Sequence, residues 1–297
     1  MYSTELFVQT FISGVMIGVL YALMALGITF IYSIMRMINW AMGEFYMVGS
    51  YLQYMLVVGL LGTDLWWLAI PLSVAGVFAM GVVVQWGLLK PVFTRPPESR
   101  DDYATVVTLA LLLFLRSVAT GLAGPYQFSP GSDLPMIMVG PMPLAGARVA
   151  AFLFALVALA LFYVLLRYTW YGLALRATAQ SRVGVQTAGI DVLAVDRIAF
   201  GIGVALAGLA GALLAPVFLV YPTNGLITTM KGFEIVVIGG LGSIPGALIA
   251  GVLLGLIESF GAAFIDSSYQ NVYGFILVLA ILALRPSGLF GERGREA

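Results

Sequence analysis

Neither cysteine nor histidine occurs in this chain of 297 residues. Thiol chemistry, disulfides and the usual zinc and haem ligand sets are therefore excluded. Charge is scarce too: 9% of residues are charged, against about 25% in a soluble domain. Acids and bases cancel to a formal net charge of zero, so no global basic signal points to nucleic acid. The P-loop pattern G-x-x-x-x-G-K-[ST] is missing, and Lys90 and Lys231 stand in other contexts. The chain thus has no P-loop with which to cradle ATP. No two acids fall in a D-x-x-x-D or G-x-G-D arrangement, and any serine nucleophile would lack a histidine base. The sequence carries no positive sign of an enzyme. No Lys or Arg precedes the first apolar run, Leu6 to Ile34. That run is too long for a signal peptide and has the wrong flank, so it reads as a retained transmembrane helix.

What is present is hydrophobic. Apolar residues make up 61% of the chain, and mean hydropathy is +1.04. The expected fold class is an all-α integral membrane protein, a polytopic helical bundle, with a single transmembrane domain over 1–297. At about 20 apolar residues per crossing, helices are predicted at Leu6–Ile31, Ala41–Leu61, Trp66–Leu89, Ala104–Leu122, Val149–Leu166, Ile198–Val220 and Val272–Leu284. With the interrupted stretch 233–258, these make about eight membrane segments. Polar connections lie at Lys90–Tyr103, at 123–148 with its five prolines, and at 167–197. The stretch YPTNGLITTMK reads as a turn, and 285–297 as a polar tail.

FEIVVIGGLGSIPGALIAGVLLGLIE, Phe233 to Glu258, is apolar but broken by glycines and Pro245. Glycine is poor in helix interiors, and proline lacks an N–H to donate. Either this is a Gly-rich loop joining two helices at the membrane surface, or it is a discontinuous or re-entrant segment beside a pathway. Loop charges bear on the choice. Eleven Lys and Arg lie at 36, 90–100, 167–197 and 285–295, while the alternate loops carry Arg148 and Lys231. By the positive-inside rule the N-terminus is outside and the tail cytoplasmic, provided 233–258 enters and returns. INWAMGEFYMVGSYLQ and IVVIGGLGSIPGALIA each interrupt an apolar run with glycines and a polar or acidic residue. They suggest a possible inverted repeat, or a chance echo.

Ionisable residues inside apolar runs are the candidates for function: Glu44, Arg116, Glu234 and Glu258. A charge at the centre of a bilayer costs about 2.5–3.5 kcal/mol on insertion scales, so it faces a bundle interior or a cavity. Glu44 is the best pathway candidate. Asn39 either hydrogen-bonds a substrate or caps a helix. Lys231, Glu234 and Glu258 are expected near interfaces. Gly14–Gly18 and Gly251–Gly255 are GxxxG pairs suited to close helix packing or dimerisation. The 167–197 loop is either a solvated connector or a docking site for a partner.

Three ordered motifs carry a family resemblance. MINWAMGEFYMVGSY resembles the N-terminal signature of permease subunits of branched-chain amino acid ABC importers. LRATAQSRVGVQTAGIDVLAVDRIAFGIGVALAGLAGALLAP is similar to that family's cytoplasmic loop and following helix, with matching elements at Arg176–Gln180, Gly189–Asp191 and Ala207–Gly211. GGLGSIPGALIAGVLLGLIE resembles its C-terminal signature. Length and the first motif favour the shorter of the two homologous permease types. The resemblance implies inward transport of branched-chain or related apolar amino acids; relatives of the family handle urea, amides or other amino acids. A stand-alone channel or secondary carrier is the alternative outside the family.

The implied partners are a homologous second permease subunit, two cytoplasmic ATPase subunits and an external substrate-binding protein. The chain itself would need no cofactor and no metal, with ATP bound by the ATPases, in a bacterial or archaeal cytoplasmic membrane. By the same analogy Arg176, Ala177, Gln180, Gly184, Gly189, Ile190 and Asp191 form the coupling loop. Asn39, Gly43, Glu44, Gly240, Gly242 and Ser243 lie near the pathway.

Overall fold

The long apolar run after Leu6 forms helix α1, Thr4–Met35. Its middle, from Leu20 to Ile31, is almost wholly sealed from solvent, so α1 is the axis of the molecule. The computed structural model describes residues 4–94, 99–131, 134–139 and 142–291. Arg95, Arg293 and Arg295 lie outside them.

The remaining helices are α2 (Met42–Leu56), α3 (Trp66–Val84), α4 (Arg100–Ala123), α5 (Gly146–Tyr168), α6 (Trp170–Gln180), α7 (Arg182–Thr187), α8 (Val192–Leu214), α9 (Asn224–Gly239), α10 (Ile244–Phe264) and α11 (Gln270–Leu284). π-helical turns extend α2 through Val57–Leu61 and α3 through Gln85–Leu89. A short antiparallel hairpin, β1 (Ile137–Val139) and β2 (Met142–Leu144), precedes α5. Among the described residues, eight helices are long and apolar enough to cross a membrane. The chain is an all-α polytopic bundle, as its composition predicts.

Small residues bring α1 and α10 together. A Cβ on Gly18 would overlap the Val252 backbone, and one on Gly255 would overlap Gly18. The two GxxxG pairs therefore face each other across one antiparallel interface, as close packing requires. Rings of Phe7, Phe260 and Phe264 close the far end of that pair. Helices α8 and α9, with one face of α5, pack on the rest of α1, α2 and α3 pack on α8, and α4 and α11 lie on the outside.

Three boundaries differ from the sequence reading. Helix α8 starts six residues earlier than expected, because the Asp191 carboxylate accepts the N–H groups of Leu193 and Ala194 and caps it. It ends at Leu214 rather than Val220, just before Pro216. YPTNGLITTMK is not a turn throughout, since Asn224 opens α9. Gly225 is held helical there by backbone packing on Gly43, a tertiary contact that overrides weak propensity.

The Gly/Pro break divides 233–258 into two antiparallel helices, α9 and α10. Their 16 and 21 residues reach about 24 and 32 Å at 1.5 Å per residue, so the stretch is a hairpin rather than a shallow dip. Gly240 and Gly242 turn the chain with φ of +96° and +83°, values that glycine adopts readily. The turn lies beside Tyr32 and Ser33, at the end of α1. The N–H groups of Leu289 and Phe290 donate to the last α9 carbonyls, Ile238 and Gly239, at 2.8 and 3.0 Å. The two echoing stretches fold differently: one is this hairpin turn, the other a non-helical segment feeding α2.

Candidate functional site

That segment, residues 36–41, carries the first interruption of the bundle. Arg36 turns the chain with φ of 54°. The chain then runs back into the bundle through a turn at Trp40 and Ala41, and the end of the Met42 side chain meets Gly27. Gly27 lies eight residues before the end of α1, about 12 Å inward, so α2 starts inside the bundle. Asn39 is buried, and its Oδ1 accepts the Ala41 N–H at 3.0 Å. This short-range turn, typical of Asn, lies ahead of the helix: Ala41 stands at the N-cap of α2, which no side chain caps. Gly43 donates its N–H to Thr229 Oγ1 at 3.0 Å and touches the Gly225 backbone. Glu44 is fully buried in the first turn of α2, and Arg116 of α4 donates to its Oε1 at 2.6 Å. The positive end of α2 also favours that carboxylate.

Helix α9 starts inside the bundle too. Asn224 donates to Ser50 Oγ at 3.4 Å, about two turns along α2 from its start. In front of this recessed end lies a cavity of about 450 Å³, within the range of small-molecule sites. Leu20, Met24, Leu214, Val217 and Ile227 give it an apolar wall. Tyr21, Tyr46, Tyr221, Asn224, Thr228 and Lys231 supply polar groups. Ser129, from the segment after α4, lies at its edge, where Phe128 and Val220 exchange backbone hydrogen bonds of 2.8 Å.

Behind the cavity, Lys231 donates to Glu258 Oε1 at 2.5 Å. Glu258 Oε2 accepts from Tyr21 at 3.3 Å and Gln270 at 3.2 Å. Glu234, one turn further along α9, is also buried. Lys231 is half-buried and Glu234 and Glu258 are buried, so these residues are not solvated as an interfacial role would leave them. The sequence shows them at the edges of apolar runs, but the hairpin folds those edges into the protein, where α10 and α11 cover them.

The pathway candidates fall into two groups. Asn39, Gly43 and Glu44 cluster where α2 and α9 pass each other. Gly240, Gly242 and Ser243 lie at the hairpin turn, eleven or more residues along α9 from Thr229, about 16 Å. Ser243 caps α10, accepting the Gly246 N–H at 3.1 Å. Lys231, Asn224 and Tyr21 were missed as site residues. The signal available was a lysine and an asparagine seven residues apart, one helical face, but it was masked by reading Asn224 as a turn.

The polar stretch 167–197 holds α6 and α7. Thr169 and Ser181 cap them, accepting N–H groups of Gly172 and Gly184. Gly189, at φ +81°, closes α7 with a Schellman pair, Gly189 to Gln186 and Ile190 to Val185. Arg176, Gln180, Gly184, Gly189 and Asp191 are exposed, and Ala177 and Ile190 are half-buried. The residue that ties this stretch to the spans is Arg182, also missed. It donates to buried Asp196 at 2.5 Å and to the Ile34 carbonyl at 3.1 Å, and lies 4.6 Å from the Phe93 ring centre.

Such a bundle, with interrupted helices meeting inside it, a cavity beside them and a polar helical pair at one end, defines the class of multi-pass transport permeases. Residues 10–284 match the family described as branched-chain amino acid transport system / permease component, and the chain belongs to that family. It is 31% identical to the high-affinity branched-chain amino acid transport system permease protein LivH of Escherichia coli, over 96% of each chain. Identity is 30% to BraD, the corresponding permease protein of Pseudomonas aeruginosa, again over 96% of each chain. A probable LivH of Methanocaldococcus jannaschii is 30% identical, over 92% of this chain and 89% of its own. No solved structure matches the chain.

Proposed function

We propose that this chain is a transmembrane subunit of an ATP-driven importer that carries branched-chain or related apolar amino acids inward. The observation that carries the reading is similarity to branched-chain amino acid permeases along 96% of both chains. The apolar cavity wall supports an aliphatic cargo over urea or short amides, which would leave that wall unfilled. ATP is bound by two separate ATPase subunits, a second homologous permease completes the channel, and an external binding protein delivers the cargo. The protein sits in the cytoplasmic membrane of a bacterium or archaeon, with its N-terminus outside and its tail, 285–297, in the cytoplasm. Segregation of Arg36, Lys90, Arg182, Arg197 and Arg285 to one end of the bundle supports that orientation.

Stretch 167–197 is the coupling loop. Arg176, Ala177, Gln180, Gly184, Gly189, Ile190 and Asp191 form its docking surface, and Arg182 transmits the motion of α7 to α1 and α8. Asn39, Gly43 and Glu44 lie at the narrow part of the pathway, and Gly240, Gly242 and Ser243 at its cytoplasmic end. The test is uptake of tritiated leucine into liposomes holding the complete importer. Uptake should require both ATP and the binding protein. Accumulation by this chain alone, without ATPases, would show a stand-alone carrier instead.

A further inference from the structure

We propose that the cavity before α9 binds the amino acid cargo as a zwitterion, Lys231 taking its carboxylate and Asn224 its ammonium, with the aliphatic side chain against the apolar wall. The proposal rests on the transport reading above and adds the residues that read the cargo. Among the described residues, Lys231 is the sole charged side chain lining the cavity. It is paired with Glu258, yet Glu258 has two further donors, Tyr21 and Gln270. A carboxylate with three donors keeps two when one is shared. Lys231 can therefore turn to an arriving carboxylate without leaving Glu258 bare in a low-dielectric interior. The Tyr21 ring, 5.2 Å from the ammonium, accommodates the cation as it moves.

Asn224 supplies the opposite polarity. It is 7% exposed, and its Oδ1 is buried with no hydrogen-bond partner while its Nδ2 donates to Ser50. Buried polar atoms are nearly always paired, so this orphan acceptor, sealed just behind the cavity surface, calls for a donor that a turn of the Asn224 side chain would bring it to. A cargo ammonium provides one. Lys231 and Asn224 are two turns apart on one face of α9, and helical side chains lean toward the N-terminus, which brings the lysine back toward Asn224. The hydroxyls of Tyr46, Tyr221 and Thr228 line the same space. An amine without a carboxylate meets the charge of Lys231, and a fatty acid leaves Asn224 unpaired, so both are selected against.

The experiment is tritiated-leucine uptake by the complete importer in liposomes. Lys231→Met should lower uptake about tenfold or more, the scale of one lost charged hydrogen bond. Since that variant also leaves Glu258 and the neighbouring buried Glu234 without their cation, the deciding one is Lys231→Met with Glu258→Gln and Glu234→Gln, which removes the lysine together with both acids around it. If the lysine only fastens α9 to α10, the triple variant regains uptake and the proposal is overturned. If the triple variant assembles with its ATPases at wild-type yield and uptake stays about tenfold down, the proposal stands. Wild-type uptake by Lys231→Met overturns this proposal alone. A wild-type importer that carries no amino acid overturns the transport reading, and this one with it.

Discussion

At the residue scale the bundle is fixed by ionic contacts placed where water is excluded. Glu44 and Arg116 connect α2 to α4, and the second carboxylate oxygen of Glu44 and Nε of Arg116 are buried without partners. Removing one member of a buried pair costs about 3–5 kcal/mol, because the other charge stays behind. Arg116→Met should therefore lower the thermal stability of the purified protein sharply, and adding Glu44→Gln should restore much of it. Equal stability in Arg116→Met and wild type would mean the pair contributes little. Glu44 could be singled out from the sequence, as an acid inside an apolar run. Arg116 stood out for the same reason, but their pairing did not, since 72 positions separate them and only tertiary packing brings them together. The same holds for Lys231 with Glu258 and for Arg182 with Ile34. Sequence position marks a charge as costly in lipid but does not say which neighbour compensates it.

At the element scale, spans and glycine motifs were readable while starts and ends were less so. The Gly14–Gly18 and Gly251–Gly255 spacing predicts close packing, and the helices meet there backbone to backbone. Gly18→Leu should destabilise the protein by more than the roughly 1–3 kcal/mol of ordinary overpacking, because the overlap is with main chain that cannot rotate away; a thermal melt in detergent measures this. Whether the Gly/Pro break was a surface turn or a re-entrant dip was open from sequence, and the hairpin answers it through contacts with Tyr32 and residues 287–291. The return of 36–41 was not readable, because apolar residues on both sides hide a change of direction. In the polar stretch, Gly189→Val forces a β-branched residue into a left-handed conformation. It should leave the protein in the membrane and cut ATP-dependent uptake, measured against ATP hydrolysis by the same vesicles. Unchanged uptake would remove the α7 terminus from coupling.

At the scale of the whole molecule, the fold class was legible from composition alone, since so few charges cannot cover a soluble surface. The count of about eight membrane segments was legible too: among the described residues eight helices are long and apolar enough to cross. Helix α9, at 16 residues, falls short of that length, and the proposed orientation, with the termini on opposite sides, requires it to cross as well. The chain is free of cysteine, so single cysteines introduced near Thr4 and after Arg293 report this directly. An impermeant maleimide applied to intact cells should label the first and not the second; labelling of both would mean an even count.

The two helices that start inside the bundle have a mechanical consequence. Helix α2 begins near Thr229 and α9 begins near Ser50, so the two run past each other for seven residues, about 10 Å. Along that seam the backbones of Gly43 and Gly225 meet directly, and side-chain hydrogen bonds cross it from Gly43 to Thr229 and from Asn224 to Ser50. Sliding one helix against the other there exchanges hydrogen bonds rather than unlocking interdigitated side chains.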